Sequence, residues 1–223
     1  LAGYEYVLLP TPPEEVEPLL RRREFQGLNV TIPYKQVVIP LCDEVEPRAA
    51  AIGAVNTIVN RNGRLMGYNT DIDGLIYLAC RAGVDMAGKK VVILGSGGTS
   101  HTAQAAAKAL GAGEIVVISR HGADNYENLS RHADADIVVN TTPVGMERMP
   151  GCLIPDASWL HAGLTVSDVI YQPRETQLLR MAREAGLKTF NGMYMLLHQG
   201  AASFRLWTGR EMPIQQIREK YFQ

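Results

Sequence analysis

The chain has 223 residues, 46% of them hydrophobic and 20% charged, with a formal net charge of -1. That composition argues against disorder, and near-neutrality argues against a broad positive field for nucleic acid or anionic membrane. Cys42, Cys80 and Cys152 form no C-x-x-C pair, which speaks against a disulfide framework or a zinc cluster. No run approaches the roughly 20 apolar residues of a membrane span, and no metal-ligand spacing links His101, His121, His132, His161 and His198. A cytoplasmic protein with a small-molecule ligand is expected, with no metal and neither nucleic acid nor membrane as partner. The length suits one large α/β domain or two smaller ones.

The chain opens at Leu1 rather than Met, directly into a strand-like run at 4–9, so further residues upstream are expected. A helix opened by Pro12-Pro13-Glu14-Glu15 follows, then a strand at 27–31, which together give a β-α-β rhythm. Short helices are predicted at 34–41 and 45–52, then a hairpin whose strands, 56–59 and 64–67, flank Asn62-Gly63. Residues 71–82 have helical spacing and stop at Gly83, a candidate left-handed cap. From Lys89 the pattern changes: Val91-Val92-Ile93-Leu94 is a continuous apolar run, as in a strand buried on both faces of a parallel sheet. Later runs at 114–118, 136–140 and 165–170 alternate with helix-compatible sequence, which predicts a doubly wound sheet, and helices are predicted at 193–207 and 214–221.

Gly95-Ser96-Gly97-Gly98-Thr99-Ser100 lies between a buried-strand pattern and an alanine-rich helix at 101–110. Glycines there let backbone N–H groups approach a pyrophosphate, and the helix dipole favours negative charge at that end. The spacing is G-x-G-G rather than the full G-x-G-x-x-G, so a plain strand-to-helix turn is the bland alternative. After the strand at 114–118 come Ser119 and Arg120, where an NAD enzyme commonly places an acid; arginine there suits a 2′-phosphate, or is simply a solvated side chain.

Lys35 stands just past a strand end, and Asp71 opens the helix leading to the glycine loop. Reducing a ketone by hydride transfer needs a proton donor and stabilisation of the alkoxide, which a Lys–Asp pair supplies. Taken singly, the two read as a solvated lysine and a helix cap.

The segments NVTIPYK (29–35), IGAVNT (52–57), GYNTDIDG (67–74), GSGGTS (95–100), NTTPVGM (140–146), DVIYQP (168–173) and NGMYMLLHQGAASFRLWTG (191–209) together resemble those of the shikimate dehydrogenases, including the related quinate/shikimate enzymes. The resemblance runs from about Tyr4 to Gly209. It implies an α/β protein of two domains. One, residues 1–73 plus 196–223, binds substrate on a mostly parallel sheet; the other, 74–195, is a Rossmann-type NADP-binding domain, and a C-terminal helix returns to the first. It implies Lys35 and Asp71 as catalytic residues, and Thr31, Asn56, Tyr171 and Gln199 around the substrate. Gly95, Ser96, Gly97, Gly98 and Thr99 are implied at the pyrophosphate, Ser119 and Arg120 at the 2′-phosphate, and Thr141, Thr142, Pro143, Val144 and Gly192 on the nicotinamide side. The expected reaction is reversible reduction of 3-dehydroshikimate with NADP, in a monomer or homodimer; the alternatives are a quinate/shikimate dehydrogenase using NAD and a noncatalytic shikimate-binding relative. Two departures stand out. The family's N-terminal strand and its S-x-S carboxylate-binding segment have no match in these residues, and only one of the two usual basic residues stands in the loop after 118.

Overall fold

The computed structural model describes residues 3–154 and 156–221, so residues 1, 2, 222 and 223 of the expected first domain lie outside the described residues. Helix α1 (Pro13–Arg22) has proline in its first turn, Glu14 and Glu15 at its positive end and Arg21 and Arg22 at its negative end. Its Val16 and Leu20, one turn apart, are buried against Val38, Ala49, Val55, Ile58 and Leu65. Strands β1 (Gly27–Asn29), β2 (Glu44–Val45), β3 (Thr57–Arg61) and β4 (Arg64–Tyr68) form a sheet in the order β1-β3-β4-β2. The β3–β4 hairpin turns on Asn62 and Gly63 with φ of 53° and 85°, the pair of left-handed residues that the Asn-Gly dipeptide predicts. Helix α2 (Pro47–Ile52) crosses between β2 and β3, and α3 (Asp71–Arg81) leads out of the sheet.

Three expectations for this half are corrected. The sheet is mixed rather than mostly parallel, because β1–β3 and β3–β4 are antiparallel and only β2–β4 is parallel. Residues 4–9 form no strand: among the described residues they have no ladder partner, and all six are exposed. Leu8 is 86% exposed there, and the Tyr6 hydroxyl donates to Asn29 Oδ1 of β1 at 3.0 Å. Residues 34–41 are a run of turns ending in a 3₁₀ segment, Ile39–Leu41, rather than a helix. Pro40 has no N–H to donate, and Ile39 and Leu41 bond back three residues, to Gln36 and Val38.

The second sheet is all parallel: β5 (Lys90–Leu94), β6 (Glu114–Ile118), β7 (Ile137–Asn140), β8 (Thr165–Asp168) and β9 (Lys188–Phe190), in the order β6-β5-β7-β8-β9. Val91 to Leu94 have no exposure at all, as a strand covered on both faces requires. Helices α4 (Gly98–Ala109) and α5 (Gln177–Glu184) cover it together with α3. Helix α6 (Met193–Thr208) then returns to the first sheet, where Trp207 Nε1 donates to the Ile58 carbonyl at 3.0 Å, and α7 (Ile214–Tyr221) follows. Gly74 lets α3 and α6 press together, since a Cβ at that position would lie 2.6 Å from the Met195 carbonyl oxygen. One apolar cluster joins Ile52 and Ala54 of the first half to Val91, Ile93, Ala103 and Met195.

Candidate active site

In the parallel sheet the winding reverses between the paired strands β5 and β7, so the connections that leave their C-terminal ends run to opposite faces, which is where such sheets form a crevice. Gly95 follows β5 with a φ of +110°, and a Cβ there would lie 2.8 Å from Thr142 Cγ2 and 2.9 Å from Thr141 Oγ1; glycine is required on both counts. Thr141, after β7, donates its hydroxyl to the Leu94 carbonyl at 2.7 Å and so clamps the two strand ends together. Helix α4 starts beside them, with Gly97 as its N-cap, no side chain capping it and no acidic residue in its first turn. The N–H groups of Gly98, Thr99 and Ser100 have no acceptor among the described residues. Unsatisfied amides at the positive end of a helix fit a pyrophosphate.

The first sheet supplies the facing wall. Lys35 is fixed through its backbone, whose carbonyl accepts from Val55 N at 2.8 Å, and its stem passes close to Gly98, where a Cβ would lie 3.1 Å from Lys35 Cβ. Lys35 Nζ donates to Asp71 Oδ2 at 2.7 Å and to Thr99 Oγ1 at 3.2 Å. The two charged side chains are 12% and 7% exposed, so the pair is largely shielded from solvent yet still reachable. Asp71 owes its place to the start of α3. Asn69 Oδ1 accepts from Ile72 N at 3.2 Å, while its Nδ2 donates to the Ala54 carbonyl at 2.9 Å and to Thr102 of α4 at 3.1 Å. Arg48 grips Asp73 through two bonds of 2.8 Å, and that hydrogen-bonded carboxylate raises the guanidinium above its ordinary pKa.

Asn56 and Gln199 meet beside this pair. Asn56 Nδ2 lies 3.0 Å from Thr70 Oγ1 and 3.5 Å from Gln199 Oε1, and its Oδ1 accepts from Thr70 N at 2.7 Å. Ser203, one turn beyond Gln199 on α6, bonds Thr57 at 2.8 Å and Thr70 at 3.0 Å. Thr57, Thr70 and Ser203 were not singled out in the sequence, although each lies inside one of the segments that carry the resemblance. Thr31 is exposed at the end of the loop that carries Lys35.

The remaining sequence-predicted residues lie around the rim. Ser96 and Gly97 are exposed in the glycine turn, and Arg120 is exposed just past β6, next to half-buried Ser119. Tyr171 is 41% exposed, and no hydrogen bond among the described residues joins it to Lys35 or Asp71. The loop with Thr142, Pro143 and Val144 is shaped by Asn140. Its Oδ1 accepts from Thr142 N at 3.0 Å and from Thr142 Oγ1 at 2.8 Å, and its Nδ2 donates to the Val144 carbonyl at 3.1 Å. Asn140 Nδ2 also donates to Asp168 Oδ1 at 3.1 Å, a carboxylate that further accepts from Ile170 N at 3.0 Å and Thr176 Oγ1 at 2.8 Å. Desolvation by burial pushes the Asp168 carboxyl up to about 6. Gly192, at the start of α6, is packed so closely that a side chain would fall on the Val169 carbonyl. Among the described residues no group of three or more His, Cys, Asp or Glu is placed to hold a metal ion, and no helix is long and apolar enough to cross a membrane.

Comparison with known proteins agrees with this geometry. Residues 2–58 match the model of the shikimate dehydrogenase substrate binding domain, and residues 192–220 that of the shikimate 5'-dehydrogenase C-terminal domain. The chain is 38% identical to a shikimate dehydrogenase (NADP(+)) of Alkaliphilus metalliredigens, over 92% of this chain and 80% of that protein. Shikimate dehydrogenase 1 of Peptoclostridium difficile superposes with a TM-score of 0.83 at 35% identity, covering 92% of this chain and 81% of that one. The shikimate 5-dehydrogenase of Thermus thermophilus, solved in complex with NADP(H) and shikimate, does so with a TM-score of 0.79 at 32% identity, covering 94% and 84%. With a curated relative 38% identical and four-fifths covered, and with two sheets closing a Lys35–Asp71 pair onto a glycine turn, this chain belongs to the shikimate dehydrogenase family.

Proposed function

We propose that this protein catalyses the reversible, NADP-dependent reduction of 3-dehydroshikimate to shikimate. The observation that carries the reading is the ammonium of Lys35, bonded at once to Asp71 and to the first turn of the helix behind the glycine loop. In the same proposal the chain divides into a substrate domain, 1–73 plus 196–223, and a cofactor domain, 74–195; the two separate sheets support that division.

When bound, the nicotinamide supplies or accepts the hydride. The chain's own residues do the rest. Glycines 95, 97 and 98 and the free amides at the start of α4 hold the pyrophosphate, with Ser96 and Thr99 beside them. Arg120, together with Ser119, faces the 2′-phosphate. Gly192 and the turn of Thr141, Thr142, Pro143 and Val144 border the nicotinamide. Asn56, Gln199, Thr31 and Tyr171 orient the hydroxyls of the ring. Lys35 donates a proton to the oxygen that gains charge as hydride arrives, and takes it back in the reverse direction. Asp71 aims the ammonium.

The test is turnover of shikimate with NADP, set against quinate and NAD. Lys35→Ala is expected to lower kcat by roughly 10²–10⁴-fold, the usual worth of a positioned proton-transfer group, and to change shikimate binding much less. A variant with parental kcat removes Lys35 from the reaction, and a kcat/KM that strongly favours quinate with NAD overturns the substrate and cofactor assignment.

A further inference from the structure

The bond between Lys35 Nζ and Thr99 Oγ1, 3.2 Å long, joins the wall that holds the substrate to the helix that holds the nucleotide. An ammonium has three N–H donors. Asp71 takes one at 2.7 Å and Thr99 takes a second, which leaves one for an oxygen in the crevice. Two fixed partners define the direction of the third donor; a single partner would leave the group free to swing about one bond. The stem is held as well, because the first turn of α4 reaches it at Gly98, where a Cβ would be 3.1 Å from Lys35 Cβ and 3.4 Å from Lys35 Cδ.

Thr99 has its own accounting. It is the second residue of α4 and is 7% exposed. Its hydroxyl oxygen accepts from Lys35, and no bond among the described residues takes its hydroxyl hydrogen. Thr102, by contrast, sends its hydroxyl back to the Gly98 carbonyl at 3.0 Å, the usual outlet for a threonine inside a helix. The Thr99 hydrogen therefore remains to be donated at the end of the helix where the amides of Gly98, Thr99 and Ser100 are also unsatisfied. A hydroxyl that donates to an anion becomes a better acceptor, so an anion at that end strengthens the grip on Lys35.

We propose that Thr99 is a positioning residue for proton transfer: it aims the Lys35 ammonium from the nucleotide side, so that the proton donor is fully ordered only when the two walls of the crevice meet. The proposal rests on the dehydrogenase reading above and adds to it a role for the threonine hydroxyl beyond holding phosphate.

The experiment compares Thr99→Val, which keeps the shape and removes the hydroxyl, with Thr99→Ser, which keeps the hydroxyl. The readout is the single-turnover rate with both ligands saturating, so that weaker nucleotide binding does not enter. Thr99→Val is expected to lower this rate roughly ten- to a hundredfold, the span for one hydrogen bond to a charged group, and to raise its solvent deuterium isotope effect as the proton step becomes slower. Thr99→Ser is expected to stay within about threefold of the parent, and shikimate binding measured without nucleotide within about twofold in both, since neither loses a group that touches the substrate. A parental rate in Thr99→Val, a loss confined to the KM for NADP, or an equal loss in Thr99→Ser would each overturn the proposal. Acetylation of Lys35 by acetic anhydride in the ligand-free protein, followed by peptide mass spectrometry, reads the same bond without catalysis. Faster labelling in Thr99→Val than in the parent and Thr99→Ser supports the bond, and equal labelling in all three counts against it. If the parent turns over no shikimate, the functional reading fails, and the labelling still decides whether Thr99 holds Lys35.

Discussion

Asp71 and Asp168 are both buried carboxylates at the ends of elements on the crevice side, and they are handled in opposite ways. Asp71 meets an ammonium at 2.7 Å and keeps a 7% opening to solvent. Asp168 is fully enclosed and, among the described residues, its hydrogen bonds come from neutral donors, Asn140, Ile170 and Thr176. Burial without a counter-charge disfavours ionisation, which is why the Asp168 carboxyl rises to about 6 despite three hydrogen bonds. The contrast separates two uses of one side chain. Asp71 holds the Lys35 ammonium, whereas Asp168 ties the loop after β7 to the end of β8.

Neutralising each carboxylate puts that distinction to the test. The largest effect is expected from Asp71→Asn, which leaves Lys35 without its counter-ion. A fall in kcat of roughly 10²–10³-fold is expected, within the range for lost proton-transfer machinery, and steady-state assays at saturating substrate check it. Asp168→Asn is expected to act on stability and with the opposite sign. A carboxyl raised from 3.8 to about 6 on folding favours the folded state below the lower value, and that advantage is lost as the pH climbs to the upper one. An asparagine does not titrate. The stability of Asp168→Asn relative to the parent should therefore climb between pH 4 and 6 and level off near pH 7 at a gain of up to about 3 kcal/mol, as read from urea melts. A difference that stays flat across that range contradicts the account of Asp168. The smallest effect is expected from the exposed Arg120. Arg120→Ala should weaken NADP binding roughly tenfold, about the worth of one charge-assisted contact, leave NAD binding unchanged, and shift stability by less than about 0.5 kcal/mol.

Local chemistry announces itself in the sequence; pairing between distant segments does not. The Asn62-Gly63 turn, the proline start of α1, the apolar run of β5 and the glycine stop at Gly83 were all legible, because each depends on neighbours within a few residues. Residues 4–9 carry the right side chains for a strand, but a strand needs a ladder partner, and that requirement has no local signature. The parallel pairing of β2 with β4 rests on two residues and was equally hidden. At the site, the glycine turn stood out by residue type, and Lys35 and Asp71 by their place at element ends and in the motifs. Ser203 is one serine among small residues of α6, and only the fold brings it to Thr57 and Thr70. Asp168 was legible only as a letter of the motif DVIYQP; that it is a fully buried carboxylate bonded to neutral donors among the described residues is a property of the enclosure around it.

The apolar cluster that runs from Ile52 and Ala54 through Ile72 and Met195 to Val91 and Ile93 belongs to neither sheet alone. A chain severed near residue 73 would bare half of that seam on each fragment. The two lobes are thus expected to melt in a single transition, much as a hinge pinned through both of its leaves fails as one piece.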